Sequence, residues 1–169
     1  MCREKNASAD SIRCVAANLT KLCEAYDAVL CINGDVGVAQ ECAAGGVHLQ
    51  STIDVEKARV NLSPQALIGV SCHSILDAQH AELAGADYVT ISPVFETASK
   101  PGYGPALGKE GLEEVARDVS IPLIALAGIS SANAADCILH GAQGVAVMGG
   151  VMQSHDPGAT VKGLISALT

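Results

Sequence analysis

The chain has few aromatic side chains. Its 169 residues include three Tyr, one Phe and no Trp. Its interior must therefore be built from Ala, Val, Ile and Leu. Basic charge is also scarce, with 10 Lys and Arg against 18 Asp and Glu and a net charge of −8. That balance argues against a nucleic-acid or acidic-membrane surface. It leaves room for one local positive pocket. No apolar run free of charge and glycine is long enough to span a bilayer, and no signal peptide opens the chain, since charge begins at Arg3. A cytoplasmic protein is expected, with neither a membrane nor a nucleic-acid partner. CxxC pairs are absent. The seven cysteines, an odd count on partly apolar segments, read as small hydrophobes in a reducing compartment.

What is present is apolar: 49% of residues are hydrophobic and 17% charged. Disorder is thereby excluded, and the length suits one domain with a substantial core. Six short apolar runs stand out, at residues 27–33, 45–50, 67–74, 87–95, 121–129 and 144–152. They read as parallel strands buried on both faces. Helical patterns lie between them. The segment 8–26 has Ser8 or Asp10 as N-cap, with Ile12, Val15, Leu19 and Leu22 on one face. Residues 74–86 set Ala78, Ala81 and Ala84 on one face and stop at Gly85; a later helical segment stops at Gly141.

Alternating helices and buried strands fit an open doubly wound sheet or a (β/α)8 barrel. Polar, Gly-rich segments follow nearly every strand, as they would at the single mouth of a barrel. The expected fold class is α/β, a TIM barrel forming a single domain over residues 1–169. Only six full strands are found, and "MCREKN" reads as the tail of another. The first strand, the first helix and most of the second strand are expected to be lacking. Such a gap leaves unpaired edges, so either the start is misassigned or truncated, or neighbouring copies in a homo-oligomer cover them.

The polar strand ends suggest an anion site. The run "GVAVMGGVM" enters a glycine turn at Gly149, and "LAGIS" offers another at Gly128. Free backbone amides at such turns bind anions, and barrel enzymes hold phosphate after their last two strands. The loop "VFETASKPGYGPALGKEGL" adds Thr97, Ser99 and Lys100, a charged partner for an oxyanion flanked by hydroxyls. Arg3 and Lys5 alternate with Glu4, so both cations should face one side and Glu4 the other. Asn33 ends one strand, and Ser71 and His73 share a face at the end of another. His48, inside "GGVHLQ", reads as a hydrogen-bonded structural residue. No trio of His, Asp and Glu has metal-ligand spacing on a helix.

The segments "REK", "INGD", "GVHL", "GVSCHS", "GADYVTISPVFETASK", "IPLIALAGI" and "GAQGVAVMGG" resemble, in order and spacing, thiamin phosphate synthases and their TenI-type relatives. The resemblance spans nearly the whole chain and implies a (β/α)8 barrel. It implies a reaction between hydroxymethylpyrimidine diphosphate and a thiazole phosphate, helped by Mg2+. It assigns Arg3, Lys5, Asn33 and Lys100 to the diphosphate. Ser71 falls beside the reacting carbon. Thr97, Gly128, Met148 and Gly149 fall on the thiazole phosphate, the last three through backbone groups. Ser71, His73 and Lys100 are the catalytic candidates.

Two departures matter. The synthase pattern has an Asp that binds Mg2+ directly after Asn33; here Gly34 stands there and Asp35 comes one residue later. After the next strand the pattern has a further acidic position, but Asp54 in "QSTID" sits at a different spacing. Asp35 and Asp54 are the remaining metal candidates, if Mg2+ is used at all. The Asn-Gly pair and the loop resemble the TenI branch, some of whose members isomerise a thiazole tautomer with a His where this chain has Pro93. The sequence favours a TenI-type binder of thiazole phosphate, with His73 or His48 as a substitute acid or base. The alternatives are a synthase with an altered metal site and a non-catalytic phosphate-ligand binder or regulator.

Overall fold

All six apolar runs contribute a strand in the computed structural model, which describes residues 1–4, 6–97 and 104–169. The strands are β1 (Cys31–Asn33), β2 (Gly46–Leu49), β3 (Leu67–Cys72), β4 (Tyr88–Ile91), β5 (Leu123–Leu126) and β6 (Gly144–Ala146). The described helices are α1 (Ala9–Ala25), α2 (Val36–Glu41), α3 (Val55–Asn61), α4 (Ile75–Leu83), α5 (Gly108–Asp118), α6 (Ala134–Leu139), α7 (Gly149–Met152) and α8 (Pro157–Leu168). The described chain forms two compact units, Met1–Ser71 with Leu83–Tyr88, and Cys72–Glu82 with Val89–Thr169.

In the first unit β1, β2 and β3 run parallel, with Cys31 beside Gly46 and Gly46 beside Leu67. Their side chains Ile32, Val47, Leu49, Ile68 and Val70 are fully covered. Each such burial contributes about 1.5–3 kcal/mol. Cys2 adds a parallel bridge to Ile32, its N–H donating to the Cys31 carbonyl at 2.8 Å. Ser8 caps α1, its Oγ accepting from the Ser11 N–H.

The buried stripe of α1 differs from the expected one. Ala16 is fully buried and Ile12, Leu19 and Cys23 are half-buried, whereas Val15 and Leu22 are exposed. Both stripes obey the 3.6-residue period. The one centred on Ala16 lets the helix backbone approach its neighbours, which the bulkier Val15 would prevent.

In the second unit β4, β5 and β6 run parallel, with Val89 beside Leu123 and Ile124 beside Gly144. Val89, Ile91, Leu123 and Ala125 are buried. Ala78 and Ala81 of α4 are fully buried, as the apolar spacing predicts, and so are Leu112 and Val115 of α5. Ala84, expected on the same face, is exposed because α4 already ends at Leu83.

One expectation is corrected here. The strand of the run 144–152 is not buried on both faces: all residues of β6 are half-exposed, while the chain enters α7 at Gly149, where the glycine turn was expected. Among the described residues β6 has a single strand neighbour, β5, to cover it. The final helix α8 was also unforeseen, although Asp156 caps it through the Ala159 N–H and Pro157 occupies its first turn. Among the described residues no helix is long and apolar enough to cross a membrane.

Asp35 has a definite structural role. Its Oδ1 accepts the Val38 N–H at 2.9 Å and opens α2, whose Val36, Val38 and Ala39 are buried. Asp35→Ala should lower unfolding free energy by about 1 kcal/mol, the usual worth of an N-cap. Urea denaturation of both proteins checks this, and an unchanged midpoint would count against the cap.

Candidate functional site

The carboxyl ends of β1 and β2 border an open hollow of about 530 Å³ in the first unit. Arg3, Glu4, Asn6, Asn33, Gly34 and Gln50 are among its lining residues. Arg3 and Asn33, singled out separately in the sequence, thus face one space. Glu4 lines it too, contrary to the alternation expected of an extended segment. Lys5, the other cation of that segment, lies outside the described residues. Gln50, just past the end of β2, was not among the sequence candidates.

Beside this hollow the first unit holds a buried polar chain. His48 is 2% exposed, yet both ring nitrogens have partners. Nδ1 lies 3.1 Å from Tyr88 Oη, and Nε2 lies 3.0 Å from Ser71 Oγ. The two rings stack with centroids 5.6 Å apart. Gly69, opposite His48 in the strand register, makes room for this arrangement: a Cβ there would fall 2.1 Å from the Tyr88 ring. Burial, with the positive charges of the terminal amine and Arg3, lowers the His48 pKa from 6.5 to about 4. The imidazole is neutral at pH 7. Burial likewise raises the Tyr88 phenol and the Cys31 thiol, so neither supplies a charge.

The second unit carries the other candidates. His73 donates its Nδ1–H to the Ser92 carbonyl at 2.7 Å, and its backbone N–H donates to Asp77 Oδ2 at 3.0 Å. The histidine is therefore tied to the start of α4 and to the segment after β4. Phe95 and Glu96, preceding the half-buried Thr97, lie against Gly128: a Cβ at Gly128 would fall 2.4 Å from the Glu96 carbonyl oxygen. Gly128 is left-handed, with φ of +67°, and Asn133 Nδ2 donates to its carbonyl at 3.0 Å. Close chain approach thus requires this glycine. Met148 and Gly149 begin α7, where amides of a first helical turn lack carbonyl partners. Ser99 and Lys100 lie outside the described residues.

The metal candidates do not fit a two-carboxylate Mg2+ site. Gly34 has no side chain to offer, and Asp35 uses one oxygen as a helix cap. Asp54 stands at the start of α3. Among the described residues no group of three or more His, Cys, Asp and Glu could hold a metal ion.

The lowered pKa of His48 has a stability consequence. Below pH 6.5 the unfolded chain binds a proton at this residue that the folded chain refuses. Stability is therefore complete above pH 6.5 and is lost progressively as pH falls to about 4. The loss attributable to this group is on the order of 3 kcal/mol. Denaturation of wild type and His48→Gln across pH 7 to 4 should give a steeper decline for wild type. Parallel curves would contradict the buried, neutral imidazole.

A family model described as thiamine monophosphate synthase matches residues 1–151. A thiamine-phosphate synthase of Roseiflexus sp. is 39% identical over 163 residues, which is 96% of this chain and 69% of the relative. One from Chloroflexus aurantiacus is 38% identical, over 96% of this chain and 75% of the relative. The solved thiamine phosphate pyrophosphorylase of Pyrococcus furiosus superposes with a TM-score of 0.88 at 32% identity, covering 98% of this chain and 80% of that one. The fold is accordingly α/β and TIM-like, with parallel strands alternating with helices. With sequence segments, strand order and superposition in accord, the chain belongs to the thiamine monophosphate synthase family, and so to thiamine biosynthesis.

Proposed function

We propose that this chain is a transferase that joins hydroxymethylpyrimidine diphosphate to a thiazole phosphate, forming thiamin phosphate and releasing diphosphate. The observation that carries the reading is Arg3 and Asn33 lining one hollow, in a chain 39% identical to a named synthase. The C–O bond between the pyrimidine methylene and the diphosphate breaks, and its electron pair leaves with the diphosphate. The thiazole nitrogen lone pair then forms the C–N bond to that carbon. Arg3, Lys5, Asn33 and Lys100 are assigned to the diphosphate, where cations stabilise the charge that develops on the leaving oxygens. Ser71 is assigned to the reacting carbon. Thr97, Ser99 and the backbone of Gly128, Met148 and Gly149 are assigned to the thiazole phosphate. Mg2+ would supply further charge neutralisation of the diphosphate, but the donors of this chain do not fit a resident site, so no step is routed through it. A homo-oligomer, in which neighbouring copies cover the open strand edges, is part of the same proposal.

One observation favours the TenI-type reading, in which the chain binds thiazole phosphate and either isomerises it or regulates. Gly34 stands where the synthase pattern has its Mg2+-binding Asp, and Asp35, one residue later, caps α2. The synthase names of the relatives weigh more heavily.

Incubation with both substrates and Mg2+ should yield thiamin phosphate by chromatography. Binding of thiazole phosphate without product formation would favour the TenI-type reading. Calorimetric titration with the pyrimidine diphosphate should show Arg3→Ala losing about 1.5–3 kcal/mol, the worth of a charged hydrogen bond. Lys100→Ala should lose a similar amount, and unchanged affinity in both variants would refute the anion clamp.

A further inference from the structure

We propose that His48 is a positioning residue for Ser71: Tyr88 holds the imidazole in its Nε2–H tautomer, and this N–H donates to Ser71 Oγ, so that the serine's own proton is aimed outward at the ligand. What Ser71 then does for the ligand rests on the proposed synthase reading. The tautomer itself rests on the hydrogen-bond geometry around a neutral ring.

A neutral imidazole has one donor and one acceptor nitrogen. Two hydrogen-bond chains are therefore conceivable. In one, the Tyr88 O–H donates to Nδ1 and Nε2–H donates to Ser71. In the other, Nδ1–H donates to Tyr88 and the Ser71 O–H donates inward to Nε2. The choice lies with Tyr88, because a phenol has one proton. Its alternative acceptor is Cys31 Sγ at 4.0 Å, a weak acceptor at a long distance. The imidazole Nδ1, at 3.1 Å, is the stronger and nearer one. Tyr88 therefore donates to Nδ1, and the proton of the ring resides on Nε2, 3.0 Å from Ser71 Oγ.

Ser71 is half-exposed at the end of β3, so one side of its hydroxyl faces away from the interior. With a lone pair occupied by Nε2–H, its proton must seek an acceptor on that open side. The ligand group that Ser71 recognises is thus an acceptor, such as a phosphate oxygen or an unprotonated ring nitrogen. The arrangement is also held in register. His48 cannot turn without leaving one buried nitrogen unpaired, and Tyr88 is seated where Gly69 leaves space. His73, the histidine favoured by sequence, bonds instead to the backbone of Ser92.

Two measurements on the full chain test the proposal. Long-range proton–nitrogen NMR of 15N-histidine-labelled protein at pH 7 should show His48 as the Nε2–H tautomer, shifting in Tyr88→Phe. An Nδ1–H tautomer or a charged ring in the wild type overturns the inference, whether or not the protein makes thiamin phosphate. Kinetics then test the role. His48→Leu should lower kcat about tenfold with little change in KM. His48→Gln, whose amide N–H can reach Oγ, should recover most of that loss. In a Ser71→Ala background His48→Leu should change kcat no further. An equal loss in both backgrounds would mark His48 as merely structural. A wild type that forms no thiamin phosphate would sink the synthase reading, while the tautomer would still decide this one.

Discussion

A buried imidazole with both nitrogens engaged is the constraint on which the first unit depends. Burying an unpaired polar group costs several kcal/mol, so His48 in the interior dictates its neighbours. It requires a hydroxyl on each side, and Tyr88 and Ser71 supply them. It requires space for the phenol, and Gly69 supplies that. These demands join β2, β3 and the first residue of β4 through side chains as well as through the strand ladder. They also set a half-exposed serine at a strand end with its orientation fixed. Stability and chemistry here share the same hydrogen bonds.

The anion chemistry follows from a contrast of scale. The chain carries a net charge of −8, which would repel a phosphorylated ligand at long range. Within the hollow the balance is local, with Arg3 against Glu4 and the amide of Asn33 alongside. A short-range charged hydrogen bond outweighs a screened distant field. Gly34 places no carboxylate at the position directly after Asn33, while the carboxylate of Asp35 is engaged by the Val38 N–H at the start of α2. The same two residues weaken the case for a resident divalent ion, so side-chain cations carry more of the leaving-group charge in the proposed reaction.

The strands were legible because double-sided burial leaves a near-continuous apolar run, and all six appear where those runs lie. Helix starts with a side-chain cap were legible at Ser8 but overlooked at Asp35 and Asp156, whose segments are short or lie near the chain's end. The stripe of α1 was misread by one position, since period alone cannot tell whether a small Ala16 or a large Val15 faces the interior. At the site, Arg3 and Asn33 were found from residue type and strand-end position. The Ser71–His48–Tyr88 chain was not, because its members are 23 and 40 residues apart and no local spacing reveals such contacts. Gly69 was equally silent: its meaning lies in the ring placed over it.

The central claim is that polar groups at the ends of these strands receive a phosphorylated ligand, with Ser71 donating to it. The most direct measurement is a crystal structure of the chain with thiamin phosphate and diphosphate bound. The account predicts diphosphate in the hollow against Arg3 and Asn33, and a ligand acceptor atom within hydrogen-bond reach of Ser71 Oγ. Diphosphate held elsewhere, with Ser71 facing only solvent or turned inward as donor to His48, would contradict it.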